Sequence, residues 1–176
     1  DAERTAGLKI TGAYMGMSGE GVSAAQHRST VAILGDSNPI QEQDVERALT
    51  AAEQESADTP QTIMHRIVQN YAVDGEPVQN PLWLQGNRLS IETLTVSTAD
   101  FASTTLERAA DEAGIHIAGF LLETLAAAET TLSLDERNMG VALLDMGAGT
   151  SDLALFCGPL RHVVDIPLGG DDITRD

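Results

Sequence analysis

The chain has 176 residues, 42% of them apolar, enough for one ordinary domain or two small ones with a core. It carries 27 acidic and 10 basic residues, a net charge of −17. That balance argues against a nucleic-acid binder, which needs a basic face for phosphates, and against a polybasic membrane contact.

In chain order, residues 8–17 (LKITGAYMGM) alternate in part and read as a strand. Residues 18–29 are rich in Gly, Ser, Ala and Gln and read as a loop or hairpin connection. Residues 30–34 (TVAIL) read as a short strand. The cluster Gly35-Asp36-Ser37-Asn38-Pro39 is a turn signal. Ile40, Val45, Ala48, Leu49 and Ala52 recur at helical spacing, so residues 41–56 read as an amphipathic helix with acids in its first turn, ended by Thr59-Pro60. The acids Glu42, Asp44, Glu46, Glu53 and Glu55 are taken as its solvated face. Residues 63–73 read as a strand closed by Asp74-Gly75, and 76–86 as a loop. Trp83 in that loop is read as a satellite-core residue, with an interface anchor as the alternative.

Residues 88–97 (RLSIETLTVS) alternate apart from the step between Ile91 and Leu94, which implies a bulge or burial on both faces. Thr98 is placed as the N-cap of a helix that Gly114 ends. A strand over 115–119, an alanine-rich helix over 121–132 and a polar connection over 134–139 follow. Then come strand 140–146, turn 147–150, strand 151–157, turn Gly158-Pro159, strand 160–167 and a Gly169-Gly170-Asp171-Asp172 turn into a helix. The lone Cys157 lies in an apolar run and is read as a buried small hydrophobe. His27, His65, His116 and His162 are too scattered to read as a metal site. No secretory leader pattern opens the chain, and no apolar run approaches the ~18 residues of a membrane span. A start without Met and a stop inside a helix read as a cytoplasmic piece of something larger.

The chemistry concentrates in VALLDMGAGTSDLALF, residues 141–156. Asp145 ends a strand and a glycine-rich turn follows. Glycines permit positive φ and let amides approach an anion. An aspartate there is placed to orient water around a metal ion beside phosphate.

The string Asp145-Met146-Gly147-Ala148-Gly149-Thr150-Ser151-Asp152 resembles the second phosphate loop, D-I-G-G-G-T-T-D, of the superfamily of actin, sugar-kinase and heat-shock-chaperone ATPases. Ala148 replaces its middle glycine. More of the chain resembles the FtsA family of bacterial cell-division proteins. His65-Arg66-Ile67-Val68-Gln69-Asn70-Tyr71-Ala72-Val73-Asp74-Gly75 is similar to its H-x-I-P-Q-x-F-x-V-D-G, with Val68 in the proline's place. Asn80-Pro81 and Gly86-Asn87-Arg88-Leu89 resemble N-P-x-G-M-x-G-x-R-L, and 122–129 resembles L-E-P-L-A-S-A-E. The match runs in order from about residue 6 to the end.

The resemblance implies an α/β actin-like ATPase (ribonuclease H-like) fold with an inserted strand–helix–strand subdomain. Residues 1–6 would be a remnant of subdomain 1A and 7–86 the 1C-like interaction subdomain. Residues 87–137 would be the returning part of 1A, and 138–176 the start of 2A. It implies ATP and Mg²⁺ as cofactors of the intact protein, with slow turnover if any and this piece alone inactive, since it holds one of two phosphate loops. Asp145 would hold Mg²⁺ through water, and Gly147, Gly149 and Thr150 would contact phosphate. Glu123 would lie near the attacking water, and Gly169 and Gly170 would bring a helix to the nucleotide. It further implies self-association into filaments, tethering of the FtsZ ring to the inner membrane on its cytoplasmic face, and recruitment of later division proteins through residues 7–86. An actin-fold phosphotransferase, a chaperone ATPase and the related type IV pilus platform protein are the alternative readings.

Overall fold

The computed structural model describes residues 2–34, 39–54 and 60–174, without the side chains of residues 2, 20, 53 and 54. In chain order it contains helix α1 (Ala2–Ala6), strand β1 (Gly12–Met17), a 3-10 turn (Gly19–Gly21), β2 (Val22–Ala32), α2 (Glu42–Gln54), β3 (Gln61–Val73) and β4 (Glu76–Val78). These are followed by β5 (Arg88–Ala99), α3 (Asp100–Glu112), β6 (His116–Leu122), α4 (Glu123–Thr131) and α5 (Leu134–Met139). Strands β7 (Val141–Met146), β8 (Ser151–Phe156) and β9 (Leu160–Ile166) and helix α6 (Gly170–Thr174) complete it.

The strands form three sheets. β1 and β6 pair in parallel, β2-β5-β3-β4 form an antiparallel sheet in that order, and β7-β8-β9 form an antiparallel meander. β5 is flanked by β2 and β3 and is buried on both faces from Thr93 to Thr98. Its pairing with β2 is regular, so Ile91 and Leu94 point to opposite faces. Leu89 and Ile91 join Ile40, Ala48 and Val73 in a cluster beneath α2. Leu94 and Val96 join Leu122, Ala128, Ala154, Phe156 and Leu160, which bind the sheet to β6, α4, β8 and β9. Burying each of these aliphatic side chains contributes about 1.5–3 kcal/mol of transfer free energy. The sheet is thus fastened on one side by its own helix and on the other by the rest of the chain. It runs from residue 22 to 99, across the boundary expected at residue 86.

Several expectations need correction. The stretch 18–29 is not a loop: Val22–Ser29 belongs to β2, whose polar residues suit a strand exposed on much of its surface. Thr98 is no N-cap. β5 continues through it, its hydroxyl donates to the Gly21 carbonyl at 2.9 Å, and Ala99 occupies the cap position. Residues 134–139 form α5, begun by a capping box in which Ser133 and Glu136 exchange hydrogen bonds. Residues 76–78 pair with β3 as a short strand. Of the two readings of the Ile91–Leu94 step, burial on both faces is the one seen; the register shifts lie in the partner β3, between Ile63 and His65 and between Val68 and Asn70. Trp83 is 73% exposed, with φ +68°, so it is not a core residue. Cys157 is exposed because β8 ends before it in a tight turn, where its amide donates to the Pro159 carbonyl. The Gly35–Asn38 turn, residues 55–56, Glu55 and Thr59 lie outside the described residues, as does the side chain of Glu53.

Candidate functional site

Two sets of strand ends converge. The parallel pair β1 and β6 ends at Met17 and Leu122, which are register partners. Ser18 and Glu123 therefore emerge side by side, and the Ser18 hydroxyl donates to Glu123 Oε2 at 3.0 Å. Gly16 makes the room: a Cβ there would lie 2.8 Å from Glu123 Cγ and Oε1. The carboxyl ends of parallel strands in open α/β sheets are where ligands bind.

The meander supplies the second set. Asp145, Asp152 and Asp165 are successive register partners across β7, β8 and β9. They form a row on the face that carries Leu143, Ala154 and Val163 into the core. Opposed side chains in such pairs lie about 5 Å apart, so three carboxylates repel across the row. Asp152 is buried and accepts from the Gly19 amide at 3.3 Å, which brings the row to the end of β1. Burial raises the Asp152 pKa, partly offset by the Gly19 hydrogen bond. The charges of Asp165, Asp145 and Glu123 raise it further. Asp165 Oδ1 is buried without a hydrogen-bond partner. Sequence reasoning singled out Asp145 and missed Asp152 and Asp165 as its neighbours. The signal was there: closing a hairpin around residues 147–150 sets 145 opposite 152.

The glycine-rich turn 147–150 is exposed and closed by a Gly147 amide to Thr150 carbonyl bond of 2.8 Å. Neither Gly147 nor Gly149 has positive φ, so conformational freedom is not what the loop needs from them. Close approach matters instead, at Gly169. A Cβ there would lie 2.2 Å from the Ala148 carbonyl oxygen and 2.6 Å from the Gly149 nitrogen. The amides of Gly170 and Asp171, both at 2.9 Å, donate to the Gly147 and Ala148 carbonyls. The Gly169 amide donates to Asp172 Oδ2, and the Ser151 hydroxyl to the Leu168 carbonyl. Gly169 and Gly170 thus brace the loop from behind. The amides of Ala148, Gly149 and Thr150 donate to no acceptor among the described residues.

Asp145 and Glu123 both come close enough to Asp152 for their charges to act on it, and the 147–150 loop follows Asp145 at the end of β7, so the two sets of strand ends are the walls of a candidate cleft. It offers amides to an anion and carboxylates to the cation that would accompany it. Among the described residues no group of three or more His, Cys, Asp or Glu side chains is drawn together tightly enough to hold a bare metal ion. No helix of the described residues is long and apolar enough to cross a membrane.

The fold is α/β, a parallel pair and an antiparallel meander in the manner of an actin-like fragment, here carrying a separate four-stranded sheet. In agreement, a solved PilM–PilN type IV pilus biogenesis complex matches 92% of this chain and 44% of its own, with a TM-score of 0.57 at 17% identity. The chain belongs to the FtsA family. Residues 19–97, which contain β2, α2, β3, β4 and most of β5, match the family model described as the SHS2 domain inserted in FtsA. The cell division protein FtsA of Pseudomonas aeruginosa is 35% identical over the whole chain, that of Bacillus subtilis 35% over 99% and that of Borreliella burgdorferi 36% over 99%. The chain spans 42%, 40% and 43% of those proteins respectively.

Proposed function

We propose that the chain serves in an FtsA-type division protein that binds Mg²⁺–ATP, polymerises and acts at the cytoplasmic face of the inner membrane. The observation that carries this reading is the braced 147–150 loop standing beside the Asp145 row and Glu123. Asp145 would orient the waters of Mg²⁺, and the unpaired amides of the loop with the Thr150 hydroxyl would hold phosphate oxygens. The ion, when bound, neutralises phosphate charge and the carboxylate row together. Glu123, held by Ser18, would orient a water at the opposite wall. Gly169 and Gly170 keep the loop in place from behind. Slow turnover follows if the ligand acts chiefly to set the state of assembly.

The SHS2-type sheet is then the interaction module, contacting the next protomer and later division proteins, while FtsZ and the membrane are engaged elsewhere in the protein. The test is assembly of the full-length protein with Mg²⁺–ATP on lipid vesicles, viewed by electron microscopy. Filaments are expected; persistent monomers contradict the reading. The likeness to the PilM–PilN complex reflects shared fold, and rapid ATP turnover abolished by Asp145→Asn would favour a phosphotransferase or chaperone ATPase instead.

A further inference from the structure

β3 touches both walls of the cleft, and it does so at its two irregularities. Ile63 pairs with Ser97 and His65 with Val96, so Met64 is an extra residue. Were the pairing unbroken, Met64 would oppose Val96 and His65 would oppose Thr95 and point toward the α2 side; a one-residue shift moves a side chain to the other face. With it, His65 points to the Val96 side, where its Nε2 accepts the Leu122 amide at 2.9 Å. Leu122 is the last residue of β6 and immediately precedes Glu123. An accepting Nε2 fixes a neutral imidazole with its proton on Nδ1. Burial disfavours the charged ring and lowers its pKa, consistent with that form.

The second irregularity sets Gln69 between Val68, which pairs with Thr93, and Asn70, which pairs with Glu92. The Gln69 amide donates to the Leu160 carbonyl at 2.8 Å, and its carbonyl accepts Arg161 Nη1 at 3.0 Å. Arg161 Nε donates to the Cys157 carbonyl. Leu160 and Arg161 open β9, which pairs with β8, the strand of Asp152. One strand of the inserted sheet is therefore hydrogen-bonded to the wall bearing Glu123 and to the wall bearing the aspartate row.

We propose that His65 and Gln69 are positioning residues: they make β3 a strut that sets the spacing of the two cleft walls and passes a change in that spacing into the inserted sheet. The identity of the ligand that changes the spacing rests on the nucleotide reading above; the strut itself does not.

Hydrogen exchange on the full-length protein tests it in two arms. Without ligand, His65→Ala should speed exchange of the Leu122 amide by about fivefold or more, the loss of one hydrogen bond. His65→Gln, whose side-chain carbonyl can accept the same amide, should restore it, which a general loss of packing would not. With Mg²⁺–ATP, protection in the unsubstituted protein should spread from residues 147–150 into β3 and β5. In His65→Ala and Gln69→Ala it should stay in the cleft. An unchanged Leu122 rate in His65→Ala overturns the strut. So does ligand protection that never reaches β3, or that reaches it undiminished in both variants. If the full-length protein takes up no Mg²⁺–ATP, the nucleotide reading fails and the Leu122 arm alone decides the strut.

Discussion

Gly169 and Gly170 are neighbours with opposite requirements. A Cβ on Gly169 would overlap the backbone of Ala148, 2.2 Å from its oxygen and 2.4 Å from its carbon, and backbone cannot step aside cheaply. Gly169→Ala should cost about 2 kcal/mol or more in chemical denaturation. A Cβ on Gly170 would sit 3.7 Å from the nearest carbonyl, at the first residue of α6. Gly170→Ala should be neutral, or stabilising by about 0.5 kcal/mol. Asp152 and His65 set the pH behaviour from opposite directions. The Asp152 pKa is raised above its ordinary 3.8, so between that value and the raised one the native state keeps a proton that the unfolded chain releases. Its contribution to stability therefore falls as pH rises through that window. Asp152→Asn, which keeps an acceptor for Gly19, should flatten this fall in a series of melts. The His65 pKa is lowered below 6.5, so below pH 6.5 the unfolded chain binds the extra proton and stability falls as pH drops toward the lowered value. Asp145 and the glycine loop were legible because their identity and order carry the signal. The partners of Asp145 were not, since they emerge only when the hairpin register is closed.

At the scale of elements, strands with apolar alternation were legible and strands without it were not. β5 declared itself through Leu89, Ile91, Leu94 and Val96, and its broken alternation was a true sign of burial on both faces. Only the end of β2, from Thr30, was legible; residues 23–29, SAAQHRS, were hidden because they present small and polar side chains on a mostly exposed strand. It is recruited by its eleven-residue register with β5 rather than by its own propensity. α5 could have been found: Ser133 followed three residues later by Glu136 is a capping-box pattern. Ser133→Ala removes the acceptor for the Glu136 amide and should cost about 1 kcal/mol, read as a shift in denaturation midpoint without a change in slope. α5 also carries Arg137, which pairs with Glu129 at 2.8 Å, donates to the Ala128 carbonyl and lies over the Phe156 ring, so its loss would loosen α4 from β8. The bulges of β3 had no sequence signal, because each is defined by what β3 pairs with and not by its own residues.

At the scale of the molecule, one sheet lies between two apolar clusters, and the strands that lead to Glu123 and carry the aspartate row pack on the second of them. The overall class was legible from sequence because the phosphate-loop string and the family motifs occur in order along the chain. The contacts that join the inserted sheet to the cleft were not, since His65 meets Leu122 across 57 residues and Gln69 meets Leu160 across 91. On the proposed reading the 147–150 loop is one of two phosphate loops of the nucleotide site, so affinity should reside in the full-length protein. Calorimetric titration of Mg²⁺–ATP into the full-length protein, its Asp145→Asn variant and this chain is the direct measurement. The expected result is saturable binding by the full-length protein, weakened at least about tenfold by Asp145→Asn, and none by the chain alone. Binding by the chain alone would show that one loop suffices. No binding by the full-length protein, or equal affinity in Asp145→Asn, would contradict a nucleotide site at this cleft.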